Sequence, residues 1–225
     1  MEDSLLPVKS RFLDGSAPRE FDEVVAAAAS KQLSANSVVM SQGQPANHLF
    51  LLAKGRARYF FLTEDGRKLL LHWVLPGEIF GVSTLFAKRA SHVLGVEVVE
   101  ESAVLTWGRT AIRRCVTKYP QLLHNTLPIF ADYVSRHVAL QEALSQPNGR
   151  HRLAQVLVTL ARAIGQETQG GSELNVTNAE LAAMSNVTVF TTSRLLNEWQ
   201  RKGVLAKSRR KILLQFPERL LPVEA

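Results

Sequence analysis

Between Val176 and Gly203 the chain reads VTNAELAAMSNVTVFTTSRLLNEWQRKG, and few folds accommodate such a stretch. It divides into two short helices around a tight turn. Thr177 or Asn178 is placed to cap the first helix, and Glu180 falls in its first turn, where a carboxylate favours the positive end of the helix. Leu181, Ala182 and Met184 supply its apolar side. Ser185-Asn186 then breaks the period, and asparagine tolerates the left-handed backbone that such a turn often needs. Thr188 is placed to cap a second helix, whose buried positions at helical spacing are Thr192, Leu195, Leu196 and Trp199. Its other side carries Val189, Phe190, Ser193, Arg194, Asn197 and Arg201. Two helices crossing over a short turn, each with one buried face, have the geometry of a helix-turn-helix, whose second helix enters the DNA major groove.

Directly behind this stretch, Val204-Leu205-Ala206-Lys207 and Ile212-Leu213-Leu214-Gln215-Phe216 flank Ser208-Arg209-Arg210-Lys211. Two apolar runs around a basic turn predict a small hairpin, the wing of a winged helix. A helical hairpin in an ordinary core, followed by a solvated basic loop, would give a similar pattern. Charge favours the first reading. The chain of 225 residues has a net charge of +7. Residues 147–225 hold 11 Lys/Arg against 6 Asp/Glu, whereas residues 1–146 hold 16 against 14. The positive excess thus concentrates where the two helices are, as a phosphate-binding surface requires.

The first half has another texture. After a helical patch near Glu20–Leu33 come short apolar runs, Ser37–Met40, His48–Leu52, Ala57–Leu62, Lys68–Val74, Val93–Val99 and Ala103–Trp107. Gln42-Gly43, Lys54-Gly55, Glu64-Asp65-Gly66 and Pro76-Gly77 separate them. Asp-Gly between apolar runs signals a hairpin, and evenly spaced short strands predict an antiparallel barrel or sandwich. Helical patterning returns over Arg109–Val116 and again after Tyr119-Pro120. From there Leu123, Leu127, Phe130, Val134, His137, Gln141 and Leu144 recur at alternating steps of four and three. That is an a/d seam, the pattern of a two-helix interface, although a single helix packed on its own β domain also suits it. Pro147-Asn148-Gly149 ends the segment as a hinge, Arg152–Ile164 forms the next helix, and Gly165–Gly171 reads as a loop.

Several chemistries lack support. No apolar run approaches the roughly 18 residues of a membrane span. The N-terminal MEDSLLPVKSRFLDG has no signal-peptide pattern, so a cytoplasmic protein is expected. Cys115 is the single cysteine, which excludes an internal disulfide and a four-thiolate cluster. It is expected to be a buried, inert thiol. The histidines His48, His72, His92, His124, His137 and His151 form no compact metal-ligand spacing. No nucleophile–base pair or phosphate loop stands out, so an enzyme is not expected; Ser83-Thr84 after Gly81 reads as a helix cap.

Strand-rich segment, long helix, hinge and winged helix occur in one order. Together LFLLAKGRARYFFLTEDGRKLLLHWVLPGEIFG, GRHRLAQVLVTLA and AELAAMSNVTVFTTSRLLNEWQRKGVL resemble the Crp/Fnr family of bacterial transcription regulators over nearly the whole length. The resemblance implies an α+β architecture: an antiparallel, cyclic-nucleotide-binding-like β-roll over 1–118, a central dimerisation helix over 119–147 and a winged helix over 148–225. It further implies a homodimer on a near-palindromic double-stranded DNA site, RNA polymerase as a partner, and control by a signal at the β-roll. Val189, Phe190, Ser193 and Arg194 are then the candidate base readers, with Arg194 matching the family's guanine-reading arginine. Thr188, Asn197, Arg201, Arg209, Arg210 and Lys211 are candidate phosphate contacts.

The same resemblance places a candidate effector pocket at Gly81, Val82, Ser91, His92, Tyr133 and His137. Here the chain departs from the cyclic-AMP branch. Val82 stands where that branch has its ribose-binding glutamate, and Ser91-His92-Val93 where it has the Arg-Ser that binds the cyclic phosphate. Arg89 would reach that role only through a three-residue slip. Cyclic AMP is therefore not expected, and no cofactor is expected; His137 is expected to be a buried, hydrogen-bonded histidine, with haem the one cofactor that the residues leave open. The alternative function is a ligand-binding regulatory module whose winged helix contacts a protein.

Overall fold

The computed structural model describes residues 9–86, 90–208 and 211–220. Helix α1 spans Pro18–Ala26, and eight strands follow with one short helix among them. These are β1 (Ala29–Leu33), β2 (Val38–Met40), β3 (His48–Lys54), β4 (Ala57–Leu62), β5 (Lys68–Val74), β6 (Ile79–Phe80), α2 (Ser83–Phe86), β7 (Gly95–Val98) and β8 (Ser102–Gly108). Helices α3 (Arg109–Lys118), α4 (Pro120–Ser145) and α5 (Gly149–Ile164) come next. Then follow β9 (Gln166–Thr168), β10 (Gly171–Leu174), α6 (Asn178–Ser185), α7 (Val189–Arg201), β11 (Leu205–Ser208), β12 (Lys211–Leu214) and a 3-10 turn at Pro217–Arg219. The chain forms two compact units, divided within α4 after Ser135.

In the first unit two antiparallel sheets, β1-β8-β3-β6 and β2-β7-β4-β5, enclose the core. Strand β3 is buried along nearly its whole length (His48 and Lys54 excepted), which explains its continuous apolar run. Leu49, Leu51, Ile79, Leu105 and Trp107 pack with Phe12 and Ile112, while Phe50, Leu52, Tyr59, Phe80, Val96 and Val104 form a second cluster. Trp107 donates its indole N–H to the Val24 carbonyl at 2.7 Å, so its polar edge is satisfied inside the core. On the other sheet Glu97 is buried and accepts from Arg58 Nε at 2.8 Å and Lys68 Nζ at 2.5 Å. Burial pushes this carboxyl up, but the Lys68 and Arg58 bonds outweigh it and the net shift is downward.

Three expectations need correction here. The helical patch ends at Ala26, and Ala29–Leu33 is a strand paired with Ser102–Thr106. Its residues are good helix formers and largely exposed, so their own pattern carries little; a free sheet edge beside β8 decides the conformation. The supposed loop Gly165–Gly171 contains a hairpin, with Thr168 opposite Gly171 and Glu167 opposite Ser172. Thr84 is no cap: it lies inside α2, fully buried, and donates to the carbonyls of Ala46 at 3.1 Å and His48 at 2.8 Å. Cys115 is buried, and that burial pushes its thiol pKa up.

Helix α4 has two apolar sides. Leu122 and Ile129 join the core, and Asn125 donates to the carbonyls of Phe12 at 3.0 Å and Asp14 at 2.8 Å. The seam residues Leu123, Leu127, Phe130, Val134, His137 and Gln141 are exposed, and Leu144 is half-buried. Phe130 is 60% and Leu127 59% exposed, values at which an isolated chain would leave a contiguous apolar stripe in water. Val138, also exposed, extends that stripe.

In the second unit β11-β12-β10-β9 form one antiparallel sheet beside α5, α6 and α7. Leu153, Leu157, Leu160, Leu181, Leu195, Leu196, Trp199, Leu205 and Ile212 are among its buried side chains. Among the described residues no helix is long and apolar enough to cross a membrane.

Candidate nucleic-acid interface

The helix-turn-helix is built by local hydrogen bonding. Thr177 and Glu180 form a reciprocal capping box: Glu180 N–H donates to Thr177 Oγ1 at 3.2 Å, and Thr177 N–H to the Glu180 carboxylate at 2.7 Å. Asn186 ends α6 in the left-handed region, with φ of 48°. Thr188 then caps α7, its hydroxyl accepting from Thr191 N–H at 3.0 Å. Thr192, Leu195, Leu196 and Trp199 are buried, so one face of α7 is consumed by the core. Behind the helix, Gly203 adopts a φ of 66° and turns the chain into β11.

What remains of α7 faces outward. Val189 is 51% and Phe190 78% exposed at its first turn, and Arg194 is exposed one turn on. Ser193 is half-buried between them. Arg194, Asn197, Gln200 and Arg201 line a depression of about 640 Å³. Gln200 escaped the sequence reading, although its spacing of three from Asn197 would have placed it on this face. Lys207 of β11 was missed as well; it donates to Asn197 Oδ1 at 2.8 Å and so turns the amide N–H groups of Asn197 free for other acceptors. Lys211 pairs with Glu173 at 2.8 Å. Thr188 is exposed, but its hydroxyl already caps α7. Arg209 and Arg210 lie outside the described residues.

At the other end of α7, Glu198 accepts from Lys202 and Arg150, each at 2.9 Å, and these two bonds, Lys202 foremost, hold its carboxyl down to about 2. The arrangement neutralises the carboxylate of α7 and leaves Arg194, Asn197, Gln200 and Arg201 to face outward with donors and cations. Such a face suits phosphate oxygens and the acceptor-rich guanine edge.

Of the candidate effector residues, Gly81 has φ of 79°, and a Cβ there would lie 2.6 Å from the His48 carbonyl, so the turn after β6 requires glycine. Val82 and Tyr133 both pack half-buried against the β-roll core, and the Tyr133 hydroxyl donates to the Ile79 carbonyl. The Tyr133 ring also meets His72 and Tyr59, at centroid distances of 5.3 and 5.8 Å. Ser91 is exposed and bridges Pro45, whereas His92 is buried, and its pKa is lowered, chiefly by that burial. His137 is exposed rather than buried, since it lies on the open face of α4. Arg89 lies outside the described residues. Among the described residues no group of three His, Cys, Asp or Glu could hold a metal ion.

An antiparallel β-roll, a long helix and a helix-turn-helix with an outward-facing reading helix define a class of DNA-binding regulator. The family model for the cyclic nucleotide-binding domain matches residues 30–119, and that for the Crp-like helix-turn-helix domain matches residues 151–222. The chain belongs to the Crp/Fnr family of transcription regulators. A cyclic AMP receptor protein from Thermus thermophilus is 26% identical over 197 residues, 87% of this chain and 88% of that one. An anaerobic regulatory protein from Pasteurella multocida is 23% identical over 178 residues, which is 78% of this chain but only 64% of that protein. The solved structure of CLP, a c-di-GMP-responsive global regulator from Xanthomonas campestris, matches with a TM-score of 0.75 at 17% identity. It covers 88% of this chain and 99% of that one, and at this identity the likeness concerns the fold.

Proposed function

We propose that the protein is a homodimeric transcription regulator acting in the cytoplasm, whose paired α7 helices read a near-palindromic site in double-stranded DNA. The observation that carries this reading is the outward face of α7: exposed Val189 and Phe190, then Arg194, Asn197 and Arg201, opposite a wholly buried face. Arg194 suits the O6 and N7 of guanine, and the two apolar side chains suit thymine methyls. Each half-site then holds one strongly specified G·C pair beside A·T pairs. The wing and Arg201 hold phosphates without reading sequence. The exposed stripe of α4 supports dimerisation, and RNA polymerase is the partner that the family membership suggests.

Selection from a random DNA pool, followed by binding across a salt series, tests this. The expected result is a two-fold-related motif and a steep loss of affinity with salt, since released counterions count the neutralised phosphates. Replacing the contacted thymines by deoxyuridine should weaken binding about fourfold per methyl lost. A flat salt response would favour a protein partner for the winged helix instead.

The relatives' names include regulators of different signals, so the family alone does not define the effector. We propose that cyclic AMP is not it. A buried cyclic phosphate needs a cationic fork, and an apolar Val82 with Ser91-His92 offers none. A filled interior or an apolar effector suits Tyr133 and its aromatic neighbours better. Haem on exposed His137 is the remaining version, open to a visible spectrum of the purified protein. Calorimetry with millimolar cyclic AMP and cyclic GMP should give no saturable heat. Micromolar binding abolished by Arg89→Ala would reverse this reading.

A further inference from the structure

We infer that the first turn of α5 positions the reading helix, with Arg152 fastening the connection after α4 to the turn between α6 and α7. Its guanidinium donates to four main-chain carbonyls. Nη1 reaches Gln146 at 2.9 Å and Pro147 at 3.2 Å, both in the connection that follows α4. Nε reaches Ser185 at 3.0 Å and Nη2 reaches Asn186 at 3.1 Å, the last residue of α6 and the left-handed turn residue. Carbonyls at a helix end have no partner within the helix and carry its negative pole, so a planar cation with several donors is the side chain they call for.

Two neighbouring contacts make the joint stiff. Gly149 opens α5 so close to the turn that a Cβ there would lie 2.9 Å from Val187 Cγ1. Arg150 donates from Nη1 to both Glu198 carboxylate oxygens at 2.9 Å, and its guanidinium lies 5.2 Å from the Trp199 ring centroid. One helical turn therefore holds α7 near both of its ends. A body fixed at two separated points can turn only about the line that joins them, and the burial of Thr192, Leu195, Leu196 and Trp199 on one face of α7 opposes that turn. Any displacement of Gln146–Pro147 is passed to the base of α7 as main-chain movement, without a change in α7 itself.

The inference rests on α7 being the DNA-reading helix, and the test separates the two. Full-length protein is titrated by fluorescence anisotropy against its selected duplex and against a scrambled one, over a salt series. Arg152→Ala should weaken specific binding at least about tenfold, because several hydrogen bonds from a charged group are lost at once. Non-specific affinity and salt slope should not move, because Arg152 spends its donors on carbonyls. Arg152→Lys should recover only part of the loss, since one ammonium cannot span four carbonyls. Equal losses on both duplexes, with the slope shallower by about one, would make Arg152 a phosphate contact and overturn the inference. Unchanged specific affinity would overturn it too. Should Arg152→Ala melt below the assay temperature, Gly149→Ala probes the same joint: it should weaken specific binding, and adding Val187→Ala should restore it. Absence of restoration counts against the joint. A wild-type chain that binds neither duplex sinks the DNA reading itself, a distinct result.

Discussion

Phe130→Glu should convert the protein to a monomer and weaken binding to a full palindromic site by about two orders of magnitude or more. Phe130 projects from the exposed stripe of α4 with Leu127 and Val134 on adjacent turns. Burying one such ring against a partner helix is worth about 1.5–3 kcal/mol, and a two-fold interface buries it twice. The glutamate removes that gain and sets two like charges at the seam. Covering two half-sites at once raises avidity by roughly 10²–10⁴, and a monomer forfeits all of it. Binding to an isolated half-site should therefore change little. The fold of the β-roll should survive, because Leu122, Ile129 and Tyr133 meet its core from the other side of α4. Sedimentation velocity reads the oligomeric state directly. An unchanged dimer would take α4 out of this role.

Arg194→Ala should cost roughly 1–3 kcal/mol and relax the preference at one base pair of each half-site. Arg194 is exposed on the face of α7 opposite Leu196 and Trp199, and among the described residues no carboxylate pairs with it. Its fork is thus available for two parallel bonds to guanine O6 and N7. Arg194→Lys should retain most of the non-specific affinity yet lose discrimination at that pair, because an ammonium lacks the fork. Repeating the random-pool selection with each variant shows which position becomes degenerate. Uniform loss on every sequence would instead identify Arg194 as a phosphate contact.

Much of this interface was legible in the sequence because its determinants are local. Thr177 with Glu180, Asn186 and Thr188 act on main-chain groups within four residues of themselves, so the helix ends follow from their identity and spacing. Thr192, Leu195, Leu196 and Trp199 lie on one helical face whatever surrounds them, and that face is the buried one. The alternating seam of α4 was equally plain in the sequence; in the structure Leu122 and Ile129 on the other side of the helix meet the β-roll, while the seam residues Leu127, Phe130 and Val134 stay exposed.

Where distant groups decide, the sequence was silent or misleading. Ala29–Leu33 has the composition of a helix and is a strand because β8 offers an edge that it fills. Gln166–Leu174 has little apolar pattern and becomes a hairpin because β12 pairs with its second strand. Thr84 reads as a cap and instead ties α2 to two carbonyls more than thirty positions away in the chain. By its sequence alone, then, this chain determined the ends of α6, the start of α7 and the two faces of α7, since those depend on neighbours a few residues apart. Only the tertiary structure decided that Arg152 joins the hinge to the reading turn, that Lys207 orients Asn197 and that Tyr133 meets His72 and Tyr59. Each of those contacts runs between different elements, up to 74 positions apart for Tyr59 and Tyr133, and no local periodicity encodes which carbonyl or ring of another element a side chain will meet.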